Sequence, residues 1–472
     1  MFVVVVSFLF FLAIFAAVGI FSIKFRRKET SDYLLAGRSV NPILVALSAV
    51  ATCWSGFMFV GMIGAAYVAG VSSVWVLVGF VVGDYLVFNT LHKKIRDYSE
   101  ENDVYSLSGL ISNGSDKTYK VLRIVAGVLT IAFLGGYAAG QLTAGSKALH
   151  VLFGWNYNVG AIIGAFIVLL YCYAGGIRAS IWTDVAQSFV MMLAMGILFV
   201  VALVELGGFQ SFFEQLRTID PTLLNLFPEN LKFGVLLFII GMIFLGIGTV
   251  GQPHIMTRFM AINNSKNIRK ARKYYFGWTL LFCFVTIFVG IFARVLIPID
   301  SFDAELALPA LSMQLLPNVL IGVILAGLFA GTMSTADSQI LSCSTSLTND
   351  IFPKMSKNYL FTKMSTVIVT LIVLLIALFG TKNVYHLVLL SWTLLAVSFS
   401  PLVTIIIFNQ KPSELLSIIM IVLGIIALLV WRQIGYNDAI HEVLPGMLAS
   451  FAVFFIGKAF GMNKTKTFLY HK

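Results

Sequence analysis

The chain has 472 residues, 59% of them hydrophobic and 11% charged, with a formal net charge of +11. A soluble domain carries about 25% charged residues, so this composition excludes a soluble globular protein and points to an integral membrane protein. No extended hydrophilic stretch is present to fold as a kinase or nucleotide-binding module, and the positive balance reads as inner loops facing anionic lipid rather than as a nucleic-acid surface.

Long continuous apolar runs favour helices over the short alternating segments of a barrel, and thirteen spans are predicted. The first, about 4–23, has no basic segment before it and Lys24-Phe25-Arg26-Arg27-Lys28 after it, so it is kept as a span rather than a signal peptide. The second, about 43–68, is the stretch around which the chain is organised. Its centre, Ala51-Thr52-Cys53-Trp54-Ser55-Gly56, gathers small and hydroxyl-bearing residues where a lipid-facing helix has no use for them. A helix interrupted at mid-membrane does use them, because freed carbonyls and side-chain oxygens can hold a small cation or solute away from water.

The third span, about 74–91, runs into His92-Lys93-Lys94-Ile95-Arg96. The fourth and fifth, about 121–149 and 159–173, are separated by Phe153-Gly154-Trp155-Asn156, and the sixth covers about 181–204. A polar stretch from Gly207 to Lys232 is expected to be an external loop with a short surface helix. The seventh span, about 233–251, is rich in glycine and ends near Gln252-Pro253-His254, which permits a second interruption. The eighth covers about 276–297. The ninth, about 315–347, holds Gly331-Thr332-Met333-Ser334-Thr335-Ala336-Asp337-Ser338, read as a further polar interruption that meets the first in space. Spans ten to thirteen lie near 367–379, 384–408, 416–430 and 443–460. The two polar interruptions, in the second and ninth spans, lie seven spans apart, whereas a fold of two inverted five-helix repeats has its broken helices five apart. The seventh span is the one that fits such a fold, giving a core of repeats 43–206 and 233–410, a pairing that periodicity alone does not select. Around that core lie an N-terminal flank 1–42, the loop 207–232 and a C-terminal flank 411–472.

Placing the N-terminus outside and the C-terminus in the cytoplasm puts Lys24, Arg26, Arg27, Lys28, Lys93, Lys94, Arg96, Lys117, Lys120, Arg123, Arg178 and the 266–273 cluster inside. Lys354, Lys357, Lys363, Lys411, Lys464, Lys466 and Lys472 fall on the same side. The external segments then carry few basic residues, Lys382 among them, accompanied by acids such as Asp220, Asp300, Asp303 and Glu305. The cytoplasmic membrane is the expected location.

Sodium, a hard cation, prefers a shell of oxygens. The carbonyls of Ala51, Trp54 and Gly331 with the hydroxyls of Ser334 and Thr335 are the expected ligands; the plainer alternative is that the two hydroxyls bond back to their own helix. Asp184 and Asp337 are carboxylates inside spans, where acids are paired, wetted or functional. Asp184 has three readings: balancing Arg178, supporting an ion near the cytoplasmic mouth, or sitting at the interface. Asp337 is given a structural gating role. Arg38 is either an inner-surface anchor or part of a gate with Asp184 or Asp337. Solute contacts are expected from Ser55, Gly56, Phe57, Tyr137, Phe244, Leu245 and Thr249, with freed amides near Ser55 and Gly56 receiving a carboxylate. Cys53, Cys172, Cys283 and Cys343 show no metal-like spacing, and the last three read as small apolar residues. No HExxH or Walker pattern and no nucleophile elbow occurs, which argues against an enzyme, and no repeated filter suggests a channel. A non-transporting solute sensor is the competing reading from another class.

Several of these residues carry a resemblance to the sodium:solute symporter family, closest to its sodium/proline branch, over nearly the whole chain. They are Ser31-Asp32-Tyr33 with Gly37-Arg38-Ser39, Ser55-Gly56, Gly175-Gly176 with Trp182-Thr183-Asp184, Gly251-Gln252-Pro253-His254-Ile255 with Arg258-Phe259-Met260-Ala261, and Met333-Ser334-Thr335-Ala336-Asp337-Ser338-Gln339. The resemblance implies an all-α transporter with a LeuT-like inverted-repeat core, sodium-driven alternating access and no cofactor beyond the coupling ion. It places the family's sodium oxygens on Ala51, Trp54, Gly331, Ser334 and Thr335, its functional arginine on Arg38 and the acid of its sixth span on Asp184. The partners it implies are a small organic solute, with proline or a related amino acid leading, sodium and the bilayer, with no nucleic acid and no obligate protein. The chain departs from the proline carriers in having Cys53 in place of an aspartate, Phe57 in place of a tryptophan, and Leu245 and Thr249 in place of a tryptophan and a tyrosine; Tyr137 fits. Those departures point to a coupling role for position 53 that a thiol fills differently, with proton coupling as the alternative, and to a differently shaped solute, such as another amino acid or an organic carboxylate.

Overall fold

The computed structural model describes residues 2–25, 27, 29–114, 118–229, 231–298, 303–381 and 383–462. Arg26, Lys28, Lys117, Asp300, Lys382, Lys464, Lys466 and Lys472, which entered the charge comparison, lie outside the described residues. Among those described, the protein is all-helical, with two isolated bridges, Val40 to Ile262 and Asn113 to Thr118, in place of any sheet. The main helices are α1 (Phe2–Ser22), α2 (Pro42–Cys53), α3 (Ile63–Ala69), α4 (Val74–Thr90), α5 (Gly135–Phe153), α6 (Tyr157–Glu205) and α7 (Gly234–Ile247). They continue with α8 (Pro253–Met260), α9 (Ile268–Leu296), α10 (Asn318–Thr345), α11 (Tyr359–Phe379), α12 (Val384–Ile407), α13 (Glu414–Ile434) and α14 (Val443–Ala459). Among the described residues ten helical segments are long and apolar enough to cross a membrane, and three shorter apolar helices accompany them, Pro42–Cys53, Tyr157–Leu170 and Val443–Ala459. The protein is therefore a multi-pass membrane protein.

Burial sorts the helices into an inner and an outer set. Every residue of α10 from Ile321 to Thr345 is buried, including nine with hydroxyl, amide or carboxyl side chains. Helices lack a hydrophobic reason to associate within lipid, so small and polar residues collect where helices touch each other. A helix polar and buried on all sides can only be the central one. By contrast α1 and α13 turn bulky apolar side chains outward, Phe10 and Leu429 among them. The stretch expected to form a loop between the sixth and seventh spans contains the short amphipathic helix Gly208–Ile219.

Three places break the helical path. Asn41 caps α2, accepting from the Ile43 amide at 2.9 Å with Pro42 at the first helical position, so the start is fixed by sequence. The helix ends at Cys53, Trp54 leaves the helical region (φ −91°, ψ 66°), and the chain resumes through a π-helical turn, Met58–Met62, into α3. After α7 a 3₁₀ turn, Gly248–Gly251, leads to an extended Gln252 (φ −96°, ψ 104°) before Pro253 opens α8. In α6 the path turns at Gly176 (φ 58°), where a β-carbon would meet the Tyr33 carbonyl at 2.5 Å; this separates the expected fifth and sixth spans.

The expected interruption in the ninth span is absent. α10 runs unbroken through Gly331–Ser338, and the departure from α-geometry comes later, as a π-helical segment at Ser346–Ile351. The reason is local. Gly331 stands alone in that stretch without proline, and each hydroxyl finds an acceptor three or four residues back, so nothing requires the helix to open.

Candidate functional site

Where α2 ends, its last carbonyls lose their helical partners, and α10 crosses the break. The Ser334 hydroxyl donates to the Ala51 carbonyl at 2.9 Å and to Gly331 at 3.2 Å. The Thr335 hydroxyl lies 3.0 Å from the Thr52 carbonyl, 3.1 Å from Gly331 and 3.4 Å from Ala51. Ser334 and Thr335 are fully buried. Five oxygens from two helices therefore converge on one point, with no nitrogen ligand among them. That donor set suits a hard monovalent cation, which would take lone pairs now engaged in hydroxyl-to-carbonyl bonds. Back-bonding within α10 is present, but it is shared with acceptors across the break. Ala51, Gly331, Ser334 and Thr335 are thus brought together as expected. The Thr52 carbonyl joins them unanticipated, and Trp54 contributes its indole instead, donating to the Thr279 hydroxyl at 2.9 Å and packing on Phe80.

Close approach of the two helices depends on Gly56. A β-carbon there would stand 2.3 Å from Thr332 Cγ2 and 3.0 Å from Gln141 Oε1. The amides expected to be free are engaged: the Gly56 N–H donates to Gln141 Oε1 at 3.0 Å and the Phe57 N–H to Ser55 Oγ at 3.1 Å.

On the other side of the break lies a small aromatic-walled cavity of about 30 Å³, room for roughly one water. Cys53, Trp54, Phe57, Tyr137 and Leu245 line it, together with Phe80 and Trp392, which sequence reasoning missed. Ser55, Gly56 and Thr249 do not reach it; Thr249 donates to the Gly246 carbonyl at 2.7 Å. Phe244 is half-buried against the core and is not part of the lining. Tyr137 is held edge-on to His254 and Trp392. At this volume a solute enters only if the walls move apart.

One turn inward from Ser334, Ser338 begins a buried charge cluster. Its hydroxyl donates to the Ser334 carbonyl at 2.6 Å, lies 2.9 Å from the Thr52 hydroxyl, and accepts from Arg258. Arg258 also donates to Ser180 Oγ at 2.6 Å and lies 3.5 Å from Asp184 and 3.8 Å from Asp337, all of them fully buried. Ser48 donates to Asp184 at 2.6 Å and Ser180 to Asp337 at 2.9 Å. Two acids share one guanidinium here, so the cluster favours a further positive charge nearby.

Of the two readings of Arg38 the structure has the anchor, and the arginine beside these acids is Arg258. Arg38 donates to the Ser99 carbonyl at 2.8 Å, the Ser99 hydroxyl at 2.7 Å and the Val104 carbonyl at 2.9 Å, an anchor binding two inner segments. Burial, and then the nearby Arg96, lowers its pKa from the ordinary arginine value. Arg178 pairs with Asp32 rather than Asp184, and donates to the Ala36 carbonyl at 2.8 Å. Position 258 was singled out in sequence only as part of a motif, with nothing local to pair it with residues 74 and 79 positions away. At the opposite end, Lys147 bonds Glu305 at 2.6 Å and Asp303 at 3.0 Å, while Glu305 accepts from the amides of Val384 and Tyr385. All four cysteines are free and buried.

Residues 33–424 match the Sodium:solute symporter family. The chain is 30% identical over 464 residues to the sodium/proline symporter of Staphylococcus aureus (strain NCTC 8325 / PS 47), covering 94% of this chain and 90% of that protein. It is 28% identical over 451 residues to the high-affinity proline transporter PutP of Bacillus subtilis (strain 168), covering 93% and 94%. Among solved structures, a sodium-coupled sialic acid symporter in a substrate-bound outward-open state superposes with a TM-score of 0.81 at 20% identity, covering 99% of this chain and all of the other. A nucleobase-cation-symport-1 family transporter with bromovinylhydantoin bound, in a closed conformation, gives 0.56 at 14% identity, covering 90% and 95%. At those identities the structures speak to the fold.

Proposed function

The chain belongs to the sodium:solute symporter family, a family of transporters and not of enzymes, and from that premise we propose that it imports proline or a related amino acid together with sodium by alternating access. The observation that carries this reading is the convergence of the Ser334 and Thr335 hydroxyls on the carbonyls of Ala51, Thr52 and Gly331. A cation held there would tie the end of α2 to α10 and so couple its own binding to the geometry of the break. The neighbouring cavity shares Cys53 and Trp54 with that break, so solute and ion act on one stretch of backbone. A ligand that binds one arrangement of this stretch better than the other shifts its population, which is the physical content of coupling.

In this reading thirteen helices cross the cytoplasmic membrane, from an outer N-terminus to an inner C-terminus, with residues 43–206 and 233–410 as inverted five-helix repeats. Sodium is liganded by Ala51, Gly331, Ser334 and Thr335 with the Thr52 carbonyl beside them, the Trp54 carbonyl joining only if the break rearranges, and Asp184, Asp337, Arg38 and Cys53 serve coupling or gating. Ser55, Gly56, Phe57, Tyr137, Leu245 and Thr249 meet the solute once the cavity opens. The apolar wall at Cys53 and Leu245 favours, as a second reading, a carboxylate-bearing solute other than proline. Reconstituted protein under an imposed sodium gradient should concentrate at least one labelled amino acid or carboxylate, proline first. If neither a sodium gradient nor a separately imposed proton gradient drives any of them, the proposal falls.

A further inference from the structure

Asp84 stands near the middle of α4, 1% exposed, and both carboxyl oxygens lack a hydrogen-bond partner. An unpaired carboxylate inside a membrane protein is costly, and such groups are paired, neutralised or functional. Packing fixes where it points. α4 and α7 touch backbone to backbone at Gly83 and Gly246: a β-carbon on Gly83 would lie 2.0 Å from the Ile243 carbonyl oxygen, and one on Gly246 2.0 Å from that of Phe80. On the buried face of α4, Phe80 one turn before Asp84 packs on Trp54, and Phe88 one turn after it packs on Tyr275. Asp84 is thus held against both helix breaks at once, beside Cys53 and the turn Gly248–Gly251.

The groups that face it are few. From α9 comes the Tyr275 hydroxyl, itself buried and without a hydrogen-bond partner. From the turn comes Thr249, whose hydroxyl is engaged with Gly246. Both face the carboxyl, and neither makes a hydrogen bond to it. The end of α2 contributes the Cys53 thiol, with Cys283 of α9 behind it. α7 and the turn Gly70–Ser73 contain no titratable residue. Toward the inner end, His92 stacks on Phe88 with Nδ1 on the Val87 carbonyl, and Arg272 lies over the ring of Tyr85. Among the described residues no cationic side chain pairs with Asp84.

A carboxyl so placed needs a cation from outside the protein. Two hydroxyls, one of them already committed, and a thiol are too few ligands for a sodium shell, and Asp84 does not line the cavity. A proton needs no shell, only an acceptor, and a small approach of the facing Tyr275 hydroxyl would give it one. We propose that Asp84 carries a proton in the membrane interior, with Tyr275 as its partner, and exchanges it when the two broken helices rearrange, making it a second coupling site separate from that of Ser334 and Thr335. Exchange during a transport cycle rests on the symporter reading; the presence of the proton does not.

Two measurements on the full-length purified chain therefore separate the two. Infrared difference spectra between wild type and Asp84→Asn at neutral pH should show the carbonyl band of a protonated carboxylic acid lost in the variant, and Tyr275→Phe should shift that band. A wild-type spectrum in which Asp84 contributes only a carboxylate band would overturn the proposal. So would loss of the acid band on adding sodium at fixed pH, which would make this a sodium site. In liposomes, an outside-acid gradient of one pH unit should raise accumulation of labelled proline, or of whichever solute the sodium gradient concentrates, by up to about tenfold per coupled proton. Normalised to its own sodium-driven uptake, Asp84→Asn should show no such rise, and an undiminished rise overturns the coupling role. Failure of both gradients in the wild type, with the acid band present, would sink the symporter reading and not the bound proton.

Discussion

The two helices that meet at Ser334 supply their oxygens in opposite ways. α2 stops at Cys53, and its contribution is the Ala51 and Thr52 carbonyls that a continued helix would have consumed. α10 does not stop at all, and contributes two hydroxyls and the Gly331 carbonyl they already shared. One element pays with broken backbone and the other with side chains. Any change in the break alters the carbonyl half of the set, whereas the unbroken helix, buried along its length from Ile321 to Thr345, is placed to act as the fixed post against which that change is registered.

The largest way to break that contrast is to remove the support beneath the post. Arg258→Ala leaves Asp184 and Asp337 buried without their guanidinium, which is expected to cost about 3–5 kcal/mol of stability; thermal unfolding in detergent reads it, and Arg258→Lys should recover only part. Next comes the close approach. Gly56→Ala sets a methyl against Thr332 Cγ2 and is expected to cost about 1–3 kcal/mol and most of the uptake. Thr332→Ser, which removes that methyl, should restore a measurable fraction of both in the double variant. No recovery would mean that Gly56 is needed for its backbone freedom instead.

A smaller effect tests the side-chain half directly. Thr335→Ala deletes one cation oxygen and is expected to weaken sodium binding about tenfold, in line with about 1–3 kcal/mol for a buried polar partner, while Thr335→Ser keeps affinity within about threefold. Sodium-dependent shifts of the melting temperature measure this, because a ligand that binds only the folded state stabilises it by mass action. The smallest effect belongs to the cavity side of the break. Cys53→Ala should leave sodium affinity within about threefold, under about 1 kcal/mol, and change solute preference in competition uptake; a large loss of sodium binding would move position 53 into the ion site.

What the sequence made legible follows the same division. The break near Ser55-Gly56 could be read because glycine and small hydroxyl residues are out of place in a lipid-facing helix, and the turn at Gln252-Pro253 because proline opens a helix better than it continues one. The pairing of Ser334 and Thr335 with α2 could be read because two adjacent hydroxyls in an apolar run need a reason. The continuity of α10 was hidden, since a hydroxyl satisfied by its own helix and one that frees a helix look alike in one dimension. Arg258 was hidden for another reason: its partners Ser180, Asp184, Asp337 and Ser338 lie 74 to 80 positions away, and only packing brings them together. For Arg38 the sequence left an inner-surface anchor and a gate with Asp184 or Asp337 both open, since an arginine just before a span suits either. Its guanidinium ends on carbonyls of the 99–104 segment. Phe80 and Trp392 are two aromatics among many, with nothing in their own neighbourhoods to mark them as cavity wall.

Direct binding of radioactive sodium to the purified full-length chain is the sharpest test of the oxygen cluster. Saturable binding in the wild type, abolished in Ser334→Ala/Thr335→Ala while the variant keeps its fold by circular dichroism and size exclusion, is the result expected here. Equal sodium binding in the two proteins would contradict it.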